Sequence, residues 1–269
     1  MEAMLTYNFM QRAMLAGLFI ALSCSILGIF LILRRDAMIG HGLAHVTFGG
    51  VALGLFLKIT PLLVAVAVAA LCAIGVVELK KKASLYGDTA IGIFSSIGMA
   101  TGVVLASLAS SFNVDLLGYL FGNILAIEKA EVLIAIILTI VVLLVIVLFY
   151  QELLYITFDP ESAKTSGIHV ARLDSVLAIL VAVTVVLGMK VVGLLLVAAL
   201  LVIPSAAGLQ LAGSFRQAVL FSCLIAAGSL VSGLFMAFYW DLPASGTIIL
   251  SSFVIFVILF CVRLMKRRR

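Results

Sequence analysis

The chain has 269 residues; 65% are hydrophobic and 11% charged, and the mean hydropathy is +1.37. Soluble domains average about 45–50% apolar and about 25% charged residues, so this composition cannot build a water-soluble surface. Soluble enzymes, nucleic-acid readers and disordered scaffolds are excluded, and the formal net charge of +5 reports where Lys and Arg lie relative to a membrane.

About 20 apolar residues, each rising 1.5 Å, carry a helix across a hydrocarbon layer about 30 Å thick. Strands of a membrane barrel would alternate over about ten residues, whereas these apolar runs are continuous. In chain order, spans are expected at 13–33, 37–57, 61–79, 88–109, 131–150, 174–189, 191–212, 217–239 and 244–264. The first is read as a retained helix, because its run of about 21 residues lacks a small-residue cleavage pattern. Segment 112–127 is a candidate for a short or re-entrant helix. Gly188, Lys190 and Gly193 interrupt 174–212, which leaves eight or nine crossings. The fold class is all-α, a polytopic helix bundle forming one transmembrane unit over 1–269, with a polar connection at about 151–173.

Orientation follows from the positive residues. With Arg34, Arg35, Lys80, Lys81, Lys82, Lys164, Arg172, Arg216 and the C-terminal cluster on the cytoplasmic side, only Arg12, Lys58, Lys129 and Lys190 remain outside. The split places thirteen of the 17 Lys and Arg inside. It requires an external N-terminus, a cytoplasmic C-terminus and nine crossings. Cys24, Cys72, Cys223 and Cys261 are scattered through apolar runs with no CxxC pair and read as packing residues. Gly50-x-x-x-Gly54, Gly98-x-x-x-Gly102 and Gly118-x-x-x-Gly122 offer small faces for close helix packing, within the chain or in self-association.

The second span carries Gly40-His41-Gly42-Leu43-Ala44-His45. His41 and His45 stand one turn apart and project from one helix face. Two imidazoles so placed can share a divalent ion of borderline softness; the alternative is a neutral pair hydrogen-bonded between helices. Ionisable groups within a membrane span face a cavity or a partner. His169 reads as a solvated loop residue. Asp159 can cap a helix, Pro160 suits its first turn and Gly167 can stop it, so a short amphipathic helix is expected there. Asp36 and Asp88 are expected to cap the second and fourth spans. Lys190 is expected to snorkel to the outer interface. Pro204 interrupts the seventh span and can kink or hinge it. GxSxG, HExxH, P-loop and paired intramembrane carboxylate patterns are all missing, so no catalytic constellation is expected.

Several ordered segments carry a resemblance. They are Leu27 to Arg35, the histidine segment through Gly54, Asp88 to Ile93, Leu120-Phe121-Gly122-Asn123-Ile124-Leu125-Ala126, Phe158-Asp159-Pro160 with Ala163 and Gly167, and Val192-Gly193 through Ala207. Over nearly its full length the chain resembles the membrane permease subunit of bacterial zinc/manganese ABC transporters. In that family an acidic residue and a histidine four apart on the second helix contribute to the metal path. His45 falls on the histidine, and His41 falls where many members have aspartate. Nitrogen in place of oxygen favours zinc over manganese. The segment with Asp159, Pro160, Glu161, Ala163 and Gly167 matches the part that rests on the ATPase.

The resemblance implies an importer subunit, non-catalytic itself, in a bacterial or archaeal plasma membrane. Its partners would be a second copy of the chain, a cytoplasmic ATP-binding subunit that uses the ATP, and an extracytoplasmic metal-binding protein. No cofactor would be held permanently; the divalent metal, zinc first, is the cargo. Two alternatives stand beside it: an ABC permease for a metal chelate or other small nutrient, and a gradient-driven carrier without an ATPase. A carrier is expected to show carboxylates inside its spans for proton or sodium coupling.

Overall fold

Inside a bilayer no water can satisfy a backbone amide, so each apolar run must close its own hydrogen bonds as a helix. The computed structural model describes residues 6–82, 87–108, 122 and 127–267. Among them the helices are α1 (Asn8–Leu33), α2 (Met38–Phe56), α3 (Pro61–Lys82), α4 (Gly87–Leu108), α5 (Lys129–Leu148), α6 (Tyr150–Phe158), α7 (Pro160–Thr165), α8 (Val170–Val192), α9 (Leu194–Leu211), α10 (Phe215–Trp240) and α11 (Ala244–Arg267). Nine of these are long and apolar enough to cross a membrane, all but α6 and α7. Each matches an expected span to within a few residues. Most of 112–127, with the Leu120 to Ala126 motif and Gly118, lies outside the described residues; of that motif only Gly122 is described.

Two groups of helices meet on a central pair. α2 packs between α3 and α4, while α9, α10 and α11 pack on one another. α1 joins them, lying against α5, α8, α9 and α10, and α8 packs on α3, α2 and α9. The most enclosed helices are α1, α2 and α8; α4 and α11 are the least. The largest fully buried side chains, Phe30, Ile20, Leu27, Leu196 and Leu201 among them, come mainly from α1 and α9.

Lipid tails are as apolar as leucine, so close packing and hydrogen bonds hold such helices together. The glycine faces do this within the chain. A Cβ on Gly50 would lie 2.8 Å from the Ala65 backbone and one on Gly54 2.6 Å from Pro61, so this face receives α3. On the other side Gly49 and Gly98 meet backbone to backbone, at 2.4 Å from a Gly49 Cβ to the Gly98 carbonyl, and α4 fits there. Hydroxyls add cross-links: Ser23 donates to Thr139 at 2.9 Å, and Thr139 donates to the Phe19 carbonyl at 2.9 Å, tying α1 to α5.

The expected interruption in 174–212 falls on one residue. Gly188 and Lys190 are helical, and Gly193 alone separates α8 from α9, with φ 92° and ψ 153°. That backbone conformation is open to essentially glycine alone. It turns the chain back on itself, so that Gly188 packs against Val197.

Candidate functional site

Four residues, Arg34 to Ala37, separate α1 from α2, whose first two turns carry both histidines. At 1.5 Å per residue, His41 lies about 5 Å and His45 about 10 Å along the axis from Met38. The pair therefore sits toward the end of the bundle that holds Arg34, not at the middle of the span. Gly40 and Gly42 make this possible. A Cβ on Gly40 would meet Leu201 of α9 at 2.5 Å, and one on Gly42 would meet Ile91 of α4 at 2.2 Å. With glycine at both places the start of α2 wedges between α4 and α9, and the histidine face stays open: His41 is exposed and His45 half-buried.

The Nε2 atoms of His41 and His45 lie 3.1 Å apart, with the rings edge to face. One imidazole donates its proton to the other. Two nitrogens bound tetrahedrally at about 2.05 Å to one zinc ion would stand about 3.3 Å apart. The pair is thus spaced for one shared ion that replaces the shared proton. His45 Nδ1 is buried without a hydrogen-bond partner. Among the described residues no third His, Cys, Asp or Glu completes a metal cluster. The arrangement offers two ligands and an open face, which suits an ion that must be released.

At the same end α6 and α7 form a helical elbow. Asp159 accepts from the Ser162 amide at 3.0 Å, and Pro160 opens α7. Hydrogen bonds from Ser162 hold the Asp159 carboxyl below the usual carboxylate range. Gly167, at φ 87°, closes the helix: its amide donates to the Lys164 carbonyl at 3.2 Å and that of Ile168 to the Ala163 carbonyl at 3.1 Å. Ala163 is fully buried, whereas Phe158, Glu161 and Lys164 are exposed. The segment taken from sequence as a polar connection is helical from Tyr150 and anchors on Leu153 and Ile156, both almost fully buried.

Pro204 lies inside α9 and is buried. The next residue, Ser205, donates to the Ser25 carbonyl of α1 at 2.9 Å. Gly28 of α1 rides directly on the same turn, where an added Cβ would stand 1.8 Å from the Leu201 carbonyl. Pro204 and the histidines are thus linked through Leu201, which touches Gly40.

Three ion pairs join helices, and neither Asp36 nor Lys190 stands as expected. Asp36 accepts from Lys80 at 2.6 and 2.8 Å, and the residue capping α2 is Ala37. Arg34 pairs with Asp174 at the start of α8. Lys190 pairs with Glu131 at 3.0 Å instead of standing alone at the interface. Asp88 lies in the first turn of α4, where a negative charge complements the helix dipole. Alternation of the spans already puts each pair at one end of the bundle, and that was the available signal. His169 is exposed at the entrance to α8.

The chain is similar to known proteins over nearly its whole length. A zinc uptake membrane protein, ZnuB of Haemophilus influenzae, is 34% identical over 263 residues, covering 98% of this chain and 99% of the relative. A manganese transport membrane protein, MntC of Listeria monocytogenes, is 30% identical over 260 residues, covering 97% and 92%. The solved structure of PsaBC from Streptococcus pneumoniae superposes with a TM-score of 0.85 at 31% identity, covering 96% of this chain and 93% of that one. The model of the ABC 3 transport family matches residues 6–263, and the chain belongs to that family.

Proposed function

We propose that this chain is the membrane-spanning permease subunit of an ATP-driven importer for a divalent transition-metal ion, with zinc favoured over manganese. The observation that carries the reading is the His41–His45 pair, whose Nε2 atoms are 3.1 Å apart on an open helix face. Relatives named for zinc and for manganese support the substrate class. Two nitrogen ligands support zinc within it, because manganese prefers oxygen. Few ligands suit transport, since a closed four-ligand site would retain its ion.

The subunit is non-catalytic and couples to a separate ATPase. Asp159, Pro160, Glu161, Ala163 and Gly167 build the contact: the buried Ala163 anchors the elbow, and the exposed Glu161 meets the ATPase. A second copy of the chain and an extracytoplasmic metal-binding protein complete the transporter in the plasma membrane. The positive residues support an external N-terminus and a cytoplasmic C-terminus. ATP binding closes the ATPase pair, the elbow moves, and Pro204 lets α9 bend so that the path opens first outward and then inward. The histidines then lie in the cytoplasmic half of α2, on the release side.

The test is zinc and manganese accumulation in a host lacking its own uptake system, with the chain expressed beside its ATPase and binding protein. Wild type restores zinc accumulation. The His41→Ala and His45→Ala double variant, inserted at equal level, does not. Equal restoration by both overturns the ligand role of the pair.

A further inference from the structure

A cavity of about 430 Å³ opens where the ends of α1, α3, α6 and α8 converge. That volume falls in the range of about 300–1,000 Å³ typical of small-ligand sites. Its upper walls are apolar, from Leu31, Leu33, Val77 and Leu177, all at the ends of membrane spans. Its rim is charged: Arg34, Arg35, Lys80 and Lys81 face Asp36 and Asp174. Both acids are already matched, Asp174 by Arg34 and Asp36 by Lys80. Arg35 and Lys81 hold no ion pair among the described residues, and both are exposed. Glu78, the nearest further acid on α3, pairs with Lys82 at 3.0 Å and is not part of the lining. The four cations and two acids of the rim leave an excess of two positive charges, Lys81 having only a longer-range attraction to Glu78 outside the lining. That sign repels a divalent cation, so the cavity does not belong to the metal path, and it attracts an anion. An ion with an apolar tail fits both the charged rim and the apolar wall.

We propose that this cavity binds the headgroup of an anionic phospholipid, its phosphate held between Arg35 and Lys81 and its glycerol and upper acyl carbons against Leu33 and Val77. Basic pockets between helices at the membrane surface bind such headgroups. The site is independent of which ion is transported. Pro160 also lines the cavity, so a bound headgroup would brace the first turn of α7.

Native mass spectrometry of the full-length chain, released from micelles doped with phosphatidylglycerol or with phosphatidylcholine of the same acyl chains, tests this. Wild type retains phosphatidylglycerol in preference to phosphatidylcholine. Arg35→Gln and Lys81→Gln each weaken that retention about fivefold, the effect of one basic residue near an anionic surface. Arg216→Gln, an exposed cation outside the cavity, leaves it unchanged. Lys81→Gln spares both ion pairs and serves if Arg35→Gln does not fold. Equal retention of the two lipids, or equal retention by wild type and Lys81→Gln, overturns the proposal. Competition by millimolar inorganic phosphate without any lipid preference assigns the site to free phosphate and overturns the lipid. Loss of the adduct on assembly with the ATPase, with Lys81→Gln weakening that assembly, assigns the cations to the partner subunit and likewise overturns it.

Discussion

Lys190, in the last turn of α8, reaches Glu131 in the first turn of α5 at 3.0 Å. The carboxylate is 11% exposed and the ammonium 39%. Glu131 is also the return arm of a capping box, accepting from the Glu128 amide at 3.2 Å. Removing the cation leaves a nearly buried carboxylate with that amide as its remaining partner. Lys190→Met is expected to destabilise the chain by about 1–3 kcal/mol, below the 3–5 of a fully enclosed pair because water reaches the ammonium. Thermal unfolding in nanodiscs measures it. Adding Glu131→Gln to Lys190→Met should restore most of the loss; a Lys190→Met protein as stable as wild type shows that the pair contributes nothing.

The spans were legible because membrane burial demands long unbroken apolar runs, and no tertiary detail can override that demand. Their ends were less so, since charged residues such as Lys80 and Lys82 still continue α3. The break between α8 and α9 was visible as three irregular residues, but only the positive φ of Gly193 tells which one turns the chain. The histidine pair and the α7 cap were readable because their geometry is local, within four residues. The ion pairs were not: Arg34 and Asp174 are 140 positions apart, and only the packing of α1 on α8 brings them together. The glycine spacing marked small faces but could not name their partner. α2 uses two such faces at once, toward α3 and α4.

Gly193 supplies the sharpest stability test. Its φ of 92° with ψ of 153° excludes a Cβ at low strain, and Gly122 packs against its amide. Gly193→Ala is expected to cost about 1–3 kcal/mol and to lower the melting temperature in nanodiscs. Gly188→Ala, in the same turn region but helical, meets only movable Val197 and Ile20 methyls and should cost less. The reverse order would show that the turn is not the rigid element described.

Asp159 separates capping from charge. Its carboxyl is held below the usual range by Ser162, so the folded state favours the ionised form. That contribution is present above the unfolded carboxylate value of about 4 and is lost as pH falls through the lower folded one. Between pH 6 and 8 the cap is intact, and coupling should not vary through this group. Asp159→Ala at pH 7 is expected to reduce substrate-dependent ATP hydrolysis by the assembled transporter, while Asp159→Asn, which also caps, retains it. Failure of both variants alike would place the role in the charge instead of the cap.

Pro204 is tested against its own neighbours. Proline removes one amide donor inside α9, and Ser205 locks the following turn to Ser25. If α9 bends at this point during transport, Pro204→Ala lowers zinc accumulation several-fold while leaving insertion and thermal stability unchanged. A variant that transports at the wild-type rate makes the residue a fixed kink.

If His41 is a ligand as proposed, the softness of its donor atom sets selectivity. It stands on the exposed side of the pair, so replacement does not disturb the wedge of α2 between Leu201 and Ile91. Aspartate presents oxygen, which manganese accepts more readily than imidazole nitrogen, whereas zinc is served well by nitrogen. His41→Asp is therefore expected to raise manganese accumulation relative to zinc, at equal expression and equal external concentrations, with His45 retained. Each 1.4 kcal/mol of differential binding is about tenfold in that ratio, and a shift of about threefold to tenfold is the expected size. His45→Asp, on the half-buried side with its Nδ1 already enclosed, should instead lower uptake of both metals. An unchanged ratio in His41→Asp with full transport would remove His41 from the metal path and leave His45 to act with ligands from elsewhere in the assembly.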